Sequence, residues 1–391
     1  MPHDPTHASP AAPGVNRIFG LDALRAAAIL GVLLAHGFGV LYPHVPYLGL
    51  LGHGGFYGVE LFFVLSGFLI GRILIKAGPE LGHAPALWTF YLRRWFRTLP
   101  LFWLFFLINV WLEWFLRQRH LTWSELAGHL FFLRTFAANR ASFFGESWSL
   151  AVEEWFYLLF PLALWAGLSC WRRFDRVFLS TALAFYLFST AARLASAGHG
   201  PASWAEWERK VVIDRFDALM AGVIAAWISV RFPGLWSRRP KAAATAGAVL
   251  LTAMYLTLWT VRDGQILNAP DTFFARTLRF NLVSLGFALL LPAASAWRLK
   301  TEGGAALATR KIALWSYALY LVHFPVMQII QDRWFTGWNA SAAQAAASFA
   351  LQIAVPIALS AILFRVYESP LTRRRDKAAP AIVSFFRRPA R

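Results

Sequence analysis

Two residues that could do chemistry, Arg25 and His36, lie in one apolar stretch that runs from residue 18 to 41, IFGLDALRAAAILGVLLAHGFGVL. They are eleven positions apart, so on an α-helix they fall within about 20° of the same face and about 16 Å from each other. An imidazole can act as a general base, and a guanidinium can hold an anion. Charge near the bilayer centre costs at least ~2.5–3.5 kcal/mol, so we interpret this pair as the core of an active site.

Other polar residues in apolar stretches could support this pair: Glu60, Ser66, Glu153, Arg215 and His323. If successive apolar segments cross a membrane in alternating directions, Glu60 and Glu153 lie level with His36, in the outer third. Ser66 and His323 then lie nearer the middle. We therefore expect several helices to bring titratable groups to one intramembrane layer.

Each of these residues also has a purely structural interpretation. His36 alone could be a satisfied core histidine. Glu153 and the adjacent Glu154 could stabilise a helix N-terminus through its dipole. Ser66, in LSGFL, could allow close helix packing together with the glycine that follows it.

Two further residues can be explained by local structure. Arg215 and Asp217 could form a structural ion pair. His323 precedes Pro325, and its ring could satisfy a backbone carbonyl that the proline leaves without a donor. The sequence does not decide between these structural interpretations and catalytic roles.

A second basic cluster, Arg93, Arg94 and Arg97, lies in YLRRWFRTLP, before an apolar segment. Arg94 and Arg97 are three positions apart and share one face of a helix. Arginine is suited to bidentate phosphate contacts, so this face could bind a phosphorylated donor from the cytoplasm. The alternative is a topology anchor of the kind that any membrane protein carries.

The elements that must position these residues are membrane helices. The chain has 391 residues, of which 58% are hydrophobic and 15% charged, and its mean hydropathy is +0.49. We predict an all-α integral membrane protein with about ten transmembrane helices in a single bundle, at 18–41, 54–75, 98–116, 147–168, 176–195, 211–229, 242–261, 278–297, 312–331 and 342–366. The broken stretch at 121–136 is predicted to be an interfacial helix.

The loop charges orient this bundle. With both termini cytoplasmic, Lys and Arg are roughly twice as common in the inner loops as in the outer ones. The net charge of +18 is therefore explained by topology, and we expect no nucleic-acid partner. No metal-ligand spacing is found, so no metal is expected. Residues 1–16 are predicted to form a disordered tail, and 371–391 a basic cytoplasmic tail.

From Arg17 to Pro370 the chain resembles the acyltransferase-3 family of integral membrane acyltransferases. Seven stretches carry the resemblance in order: LDALRAAAILGVLLAH, GVELFFVLSGFLI, YLRRWFRTLP, SWSLAVEEWFYLLFP, RFDALMAG, SYALYLVHFP and YESP. The resemblance implies that 17–370 is one transmembrane domain of the cell inner (plasma) membrane. It also implies that acyl-CoA, usually acetyl-CoA, is a co-substrate used from the cytoplasm, with no bound cofactor. The acceptor is a hydroxyl of a sugar or cell-surface polysaccharide.

The same resemblance assigns roles to residues of this chain. His36 is implied as the catalytic histidine, Arg25 as its helix partner, and Arg94 with Arg97 as the donor-contacting pair. Some relatives carry a fused extracytoplasmic hydrolase-like domain or an extra helix leading to it. This chain ends too soon for either, so we expect any second stage to need a separate periplasmic partner.

The hypothesis that follows is transfer by general base catalysis. His36 takes the proton of an acceptor hydroxyl that attacks the thioester, although a covalent acyl-histidine is an alternative. We expect Glu153 or Glu60 to orient the imidazole, and Arg25 or His323 to face the oxyanion. Competing hypotheses are a transporter with an intramembrane His/Arg/Glu relay and a non-catalytic scaffold for envelope assembly. The sequence names neither the acceptor nor the acyl length.

Overall fold

The structure is a computed structural model that describes residues 17–137, 143–197, 208–262, 265–268, 272–299, 303–334 and 341–374. The predicted tail at 1–16 and all but four residues of the predicted tail at 371–391 lie outside this part of the chain. The α-helices are α1 (Phe19–Gly37), α2 (Leu48–Gly52), α3 (Phe56–Ala77), α4 (Ala84–Trp111), α5 (Trp123–Leu130), α6 (Ser147–Cys170), α7 (Phe174–Ser196), α8 (Phe216–Arg231), α9 (Pro233–Arg238), α10 (Pro240–Leu256), α11 (Phe273–Arg276), α12 (Leu278–Ala296), α13 (Gly304–Trp334) and α14 (Ala342–Leu363).

Shorter elements connect these helices. Strands β1 (Trp259–Arg262) and β2 (Gln265–Asn268) form an antiparallel hairpin after α10, which the sequence analysis did not predict. Two π-helical turns, Leu112–Leu116 and Phe364–Glu368, extend α4 and α14. The predicted interfacial stretch at 121–136 contains α5, whose N-terminus is closed by a capping box of Thr122 and Glu125.

The bundle is an all-α membrane protein, as predicted. Eight helical stretches of the described chain are long and apolar enough to cross a bilayer. Two more predicted spans correspond to α8 and α10, which have 16 and 17 residues and are therefore about 24–26 Å long. The count of ten and the cytoplasmic location of both termini stay predictions.

The predicted start of the third span is wrong. It was placed at residue 98, after the basic cluster, whereas α4 is continuous from Ala84 to Trp111. The helix thus begins before the predicted span and includes Pro100. In the structure it lies inside the helix, so Arg93, Arg94 and Arg97 belong to the bundle itself and not to a loop.

Helices α3 and α8 pack backbone to backbone at two glycines. A Cβ on Gly67 would lie 1.9 Å from the carbonyl oxygen of Leu219, and one on Gly222 would lie 2.0 Å from that of Val64. Small residues allow this approach where lipid supplies no hydrophobic force between helices. The packing role considered for Ser66 thus belongs to its neighbour Gly67, which leaves the serine hydroxyl available for hydrogen bonding.

A buried polar network ties four helices together. Arg215 donates to Glu60 across 2.5 Å and joins α8 to α3, with both side chains fully buried. Arg193 of α7 donates to Asp217 at 2.8 Å and to Asn281 of α12 at 2.7 Å. The expected pair of Arg215 with Asp217 is therefore replaced by two separate ion pairs. Removing one partner of such a pair costs about 3–5 kcal/mol, so the network fixes how these helices meet.

We predict that Gly67→Ala destabilises the protein, because its methyl group would overlap the Leu219 carbonyl. Overpacking of this kind costs about 1–3 kcal/mol. The matched control is Gly31→Ala, whose Cβ would meet nothing within 4 Å and which should gain roughly 0.5–1 kcal/mol. The measurement is thermal unfolding of both variants in the same detergent. Equal melting temperatures would contradict the packing described here.

Candidate active site

A cavity of about 660 Å³ opens at one end of the bundle. Three cations from the ends of α3 and α8 line it, Arg72, Lys76 and Arg231, and deeper in it lie Arg25, Arg94 and Arg97. We call this the donor cavity, and the end of the bundle where it opens the basic face. Helix α1 begins at this face and places Arg25 two turns inside it, since Arg25 is the seventh residue of α1.

A narrower space of about 70 Å³ continues from the donor cavity. We call it the inner passage. Five residues line both spaces: Arg25, Ser66, Arg94, Arg97 and Tyr157. Beyond them the inner passage is lined by Ser149, Tyr317 and Tyr320 among others. The two volumes differ about ninefold, so the donor cavity has room for a bulky charged group, whereas the passage has room for a thin chain.

The guanidinium groups of Arg25, Arg94 and Arg97 form no ion pair and no hydrogen bond within the described part of the chain. The Nε atom of Arg25 is buried without a partner. Arg94 lies over the ring of Tyr157, with its guanidinium carbon 5.4 Å from the ring centroid. Arg25 and Arg94 are half-buried, whereas Arg97 is exposed. Charges inside an apolar bundle are normally paired, so these three guanidinium groups around one cavity form a candidate site for an anion.

Glu153 lies in the inner passage, beside the arginines. Its carboxylate accepts hydrogen bonds from Ser66 at 2.5 Å and from Tyr157 at 3.2 Å. It also acts electrostatically on Arg25 and Arg94. Ser66, Arg25 and Glu153 therefore lie together at the inner passage, with the serine as a donor to the carboxylate.

Three tyrosine hydroxyls hold the basic turn of α4 in place by donating to backbone carbonyls. Tyr91 of α4 reaches Leu158 of α6 at 2.8 Å. Tyr317 of α13 reaches the carbonyl of Thr98 at 2.7 Å, and Tyr367 reaches that of Pro100 at 3.2 Å. Pro100 lacks an N–H and leaves the carbonyl of Phe96 without its helical donor, but the three hydroxyls donate to other carbonyls. They fasten α4 to its neighbours close to the turn that carries Arg94 and Arg97.

His36 and His323 form a hydrogen-bonded pair, with 3.1 Å between His36 Nδ1 and His323 Nε2. His323 is fully buried, and its Nδ1 lies 3.2 Å from the carbonyl oxygen of Leu319. A carbonyl only accepts, so neutral His323 donates from Nδ1 and accepts at Nε2. His36 must then donate from Nδ1, which leaves the lone pair on its Nε2 available as a base. Its side chain is exposed, unlike that of His323.

The expected partners of His36 are therefore corrected. Glu153 bonds Ser66 and Tyr157, and Glu60 bonds Arg215, so neither carboxylate orients the imidazole. His323 takes that place and is not free to face an oxyanion. Residues at one level of a bundle can lie on helix faces that do not meet, so equal depth did not make Glu60 or Glu153 a partner of His36.

The histidine pair lies next to the inner passage but is not among the residues that line it. Tyr320 lines the passage and packs against His323, with 5.6 Å between the ring centroids. Its hydroxyl lies 2.6 Å from the Ser149 hydroxyl and 3.3 Å from the Glu146 carbonyl. Tyr320 thus separates the passage from the histidines.

The remaining predicted residue, Arg93, is exposed and does not line either space. A residue that sequence reasoning missed is Arg209, which was counted only as a loop charge. It lies over the rings of Trp148 and Phe56, at 5.4 and 5.6 Å, and acts electrostatically on His36. Nothing in its local sequence signals this position, because the contacts come from distant helices.

A buried polar cluster lies where α6 begins. Both carboxylate oxygens of Glu146 are buried without a hydrogen-bond partner, and burial raises the pKa of Glu146 to about 8. His129 Nδ1 lies 3.3 Å from the Ser147 hydroxyl. Burial, with the nearby Arg134, lowers the pKa of His129 to about 4. Both groups are therefore neutral at pH 7.

The fold and the site together define a membrane protein with a cation-lined cavity that leads toward a histidine pair. The profile of a family described as acyltransferase domain (Acyl_transf_3) covers residues 18–364. The chain belongs to this family, as the sequence motifs predicted, and its apolar helices make it a multi-pass membrane protein. Membership of this family favours an enzyme over the transporter and scaffold hypotheses.

Two relatives that match part of the chain are named as O-acetyltransferases. The chain is 35% identical over 164 residues to YrhL of Bacillus subtilis, provisionally named a peptidoglycan O-acetyltransferase. This match covers 38% of the chain and 24% of YrhL. The chain is 32% identical over 162 residues to the O-acetyltransferase OatA of Staphylococcus aureus, which covers 37% of this chain and 24% of OatA.

A third relative matches over a longer stretch. SACOL0978 of Staphylococcus aureus, provisionally named an O-acetyltransferase, is 24% identical over 386 residues, which covers 92% of this chain and 58% of the relative. The chain therefore spans less than two thirds of the length of each of these proteins. No match to a solved structure was found.

We predict that stability falls as pH rises from about 6.5 to 8. Glu146 is held protonated in the folded state, so its contribution is present below pH 4.5 and is lost as pH rises through 8. His129 is held neutral, and its opposite contribution is lost only as pH falls below 6.5 toward 4. Between 6.5 and 8 the His129 contribution no longer changes, and the titration of Glu146 itself should account for a loss of about 1–2 kcal/mol.

The measurement is thermal unfolding across this pH range. Glu146→Gln should show a flatter profile than the unchanged protein, because glutamine does not titrate. Two profiles with the same slope would show that this carboxyl does not change its protonation on unfolding.

Proposed function

We propose that this acyltransferase moves an acetyl group from cytoplasmic acetyl-CoA to a hydroxyl of a sugar or cell-surface polysaccharide, in the cell inner (plasma) membrane. The observation that carries the proposal is the set of three unpaired guanidinium groups of Arg25, Arg94 and Arg97 around one cavity. The names of the relatives support acetyl transfer to oxygen, and that of YrhL makes peptidoglycan one candidate acceptor.

The donor would enter at the basic face. Its phosphates would lie in the donor cavity against Arg94 and Arg97, where bidentate contacts replace their hydration. The uncharged arm that carries the thioester would extend into the inner passage, past Ser66 and Tyr157. Arg25 lines both spaces, so it would hold the end of the charged part. The two volumes match this division between a charged body and a thin arm.

The acceptor would meet the thioester at the exposed side of the histidine pair. The hydroxyl oxygen attacks the thioester carbonyl, its proton passes to His36 Nε2, and a C–O bond forms as the C–S bond breaks. The proton then goes to the departing thiolate sulfur. His323 would stabilise the charged imidazole by accepting its Nδ1–H, in a chain that ends on the Leu319 carbonyl. A covalent acyl-histidine would use the same Nε2 lone pair.

One step of this route requires movement. Tyr320 stands between the inner passage and His323, so the thioester must pass its ring to reach His36. The Tyr320 hydroxyl is held by Ser149 and by a backbone carbonyl, and both contacts would be exchanged as the arm enters. Closure around the occupied passage would exclude water from the thioester.

The first test concerns the histidines. His36→Ala should lower acetylation of the acceptor about 10²–10⁴-fold, because the general base is lost. His323→Phe should lower kcat while the KM for acetyl-CoA stays near its original value, because His323 positions His36 and does not contact the donor cavity. The measurement is acetate released from surface glycans, normalised to the amount of protein in the membrane. Full activity of His36→Ala would refute its role as base.

The second test concerns the donor. Arg97→Gln removes one charge-assisted contact, worth about 1.5–3 kcal/mol, so the KM for acetyl-CoA should rise about 10- to 100-fold. Arg93→Gln is the matched control, since this arginine is on the same helix but lines neither space, and about a twofold change is the most we expect. Equal effects of the two variants would show that the cavity does not bind the phosphates.

A further inference from the structure

A second cavity, of about 730 Å³, shares no lining residue with the donor cavity and lies between α8, α9, α12 and the start of α10. Its volume is within the roughly 300–1,000 Å³ that is usual for ligand sites. On α12 the lining residues recur at helical spacing from Asn281 to Pro292, and on α8 from Ala221 to Ile228. The proposed transfer reaction does not use this space.

The cavity is apolar along its length and basic at one end. Its lining is mostly Ala, Leu and Ile, and two rim residues, Leu235 and Leu285, are 65% and 47% exposed. Arg238 and Arg239 line one end, both with exposed side chains. No ion pair of either arginine is found within the described part of the chain. Charge is therefore concentrated where the cavity meets the basic face.

At the opposite end the polar groups bond mainly to one another. Asn281 lines the cavity, but its amide nitrogen already bonds Tyr186 at 2.9 Å, Thr190 at 2.9 Å and Asp217 at 3.2 Å. Its amide oxygen accepts from Arg193 at 2.7 Å. The Tyr186 hydroxyl, which accepts from Asn281, is the remaining donor among these groups. A strongly polar ligand that extended to this depth would lose more hydration than this one donor replaces, so an apolar occupant is favoured there.

The length of the cavity matches one leaflet. Asn281 and Pro292 are eleven positions apart on α12, which is about 16 Å along a helix. Half of the ~30 Å hydrocarbon core is about the same length. An acyl chain parallel to the helices would therefore extend from the headgroup level toward Asn281, which lies in the first turn of α12.

We propose that this cavity, lined by α8, α9, α12 and the start of α10, binds an anionic phospholipid, with one acyl chain between the helices and the phosphate on Arg238 and Arg239. The two arginines at the basic end of the cavity attract a negatively charged headgroup, and the apolar interior binds the acyl chain. The lipid would join α10 to the helices that carry the Arg193–Asp217–Asn281 network, so its occupancy should stabilise the bundle. The site is independent of the proposed transfer chemistry.

The test uses the full-length protein purified in detergent and titrated with phosphatidylglycerol, with binding followed by native mass spectrometry. Arg238→Gln/Arg239→Gln should weaken binding about 30-fold, since each arginine near a membrane surface contributes about one kcal/mol. Ala288→Trp should fill the cavity and abolish binding. The matched control is Arg172→Gln/Arg173→Gln, an exposed dibasic pair in the turn before α7, which should change binding at most about twofold.

The comparison ligands are phosphatidylcholine with the same chains and glycerol phosphate, which has no chains. Both should bind at least about tenfold more weakly than phosphatidylglycerol, because the choline cation cancels the headgroup charge of phosphatidylcholine and glycerol phosphate has no chain for the apolar interior. Equal weakening by the two arginine pairs would reduce the effect to general surface charge and overturn the proposal. Equal binding of either comparison ligand would also overturn it. If Ala288→Trp does not fold, the two double-arginine variants and the two comparison ligands still test the proposal.

Discussion

The structure depends on the cost of burying positive charge in an apolar bundle. Arg193 and Arg215 meet that cost with the carboxylates of Asp217 and Glu60 and so fasten the helices together. Arg25, Arg94 and Arg97 have no such partners among the described residues. Their charge can be satisfied by an anion that enters from the basic face. A positive charge inside an apolar bundle needs an anionic partner. The paired arginines find it in carboxylates and stabilise the bundle, whereas the unpaired arginines can find it in a ligand.

The framework around the cavity serves to keep these unpaired charges in position. The glycine contact between α3 and α8 brings Ser66 to the passage wall, where it donates to Glu153. Tyrosine hydroxyls hold α4 at the turn that Pro100 interrupts. On the far side, one backbone carbonyl, that of Leu319, fixes which nitrogen of each histidine carries a proton. Precise positioning of few polar groups is what a preorganised site requires.

Much of the fold and the membership of the site followed from the sequence, because apolar length and helical spacing are local properties. The position of Arg94 and Arg97 on one turn of a helix, where both line the donor cavity, is an example. The predictions that were wrong concerned contacts between helices, and these depend on how distant parts of the chain pack together. Arg215 pairs with Glu60, which is 155 positions away, and depth alone could not choose this partner over Asp217. The hydrogen bond between His36 and His323 was missed for the same reason, since it joins α1 to α13.

The central claim is that donor and acceptor approach from opposite membrane faces and meet at the histidine pair. The most direct measurement uses the purified protein in sealed vesicles, with radiolabelled acetyl-CoA outside and a membrane-impermeant sugar acceptor enclosed. The account predicts that label appears on the enclosed acceptor, and that His36→Ala prevents it. Label that reaches the acceptor only when both substrates are on the same side would contradict the account.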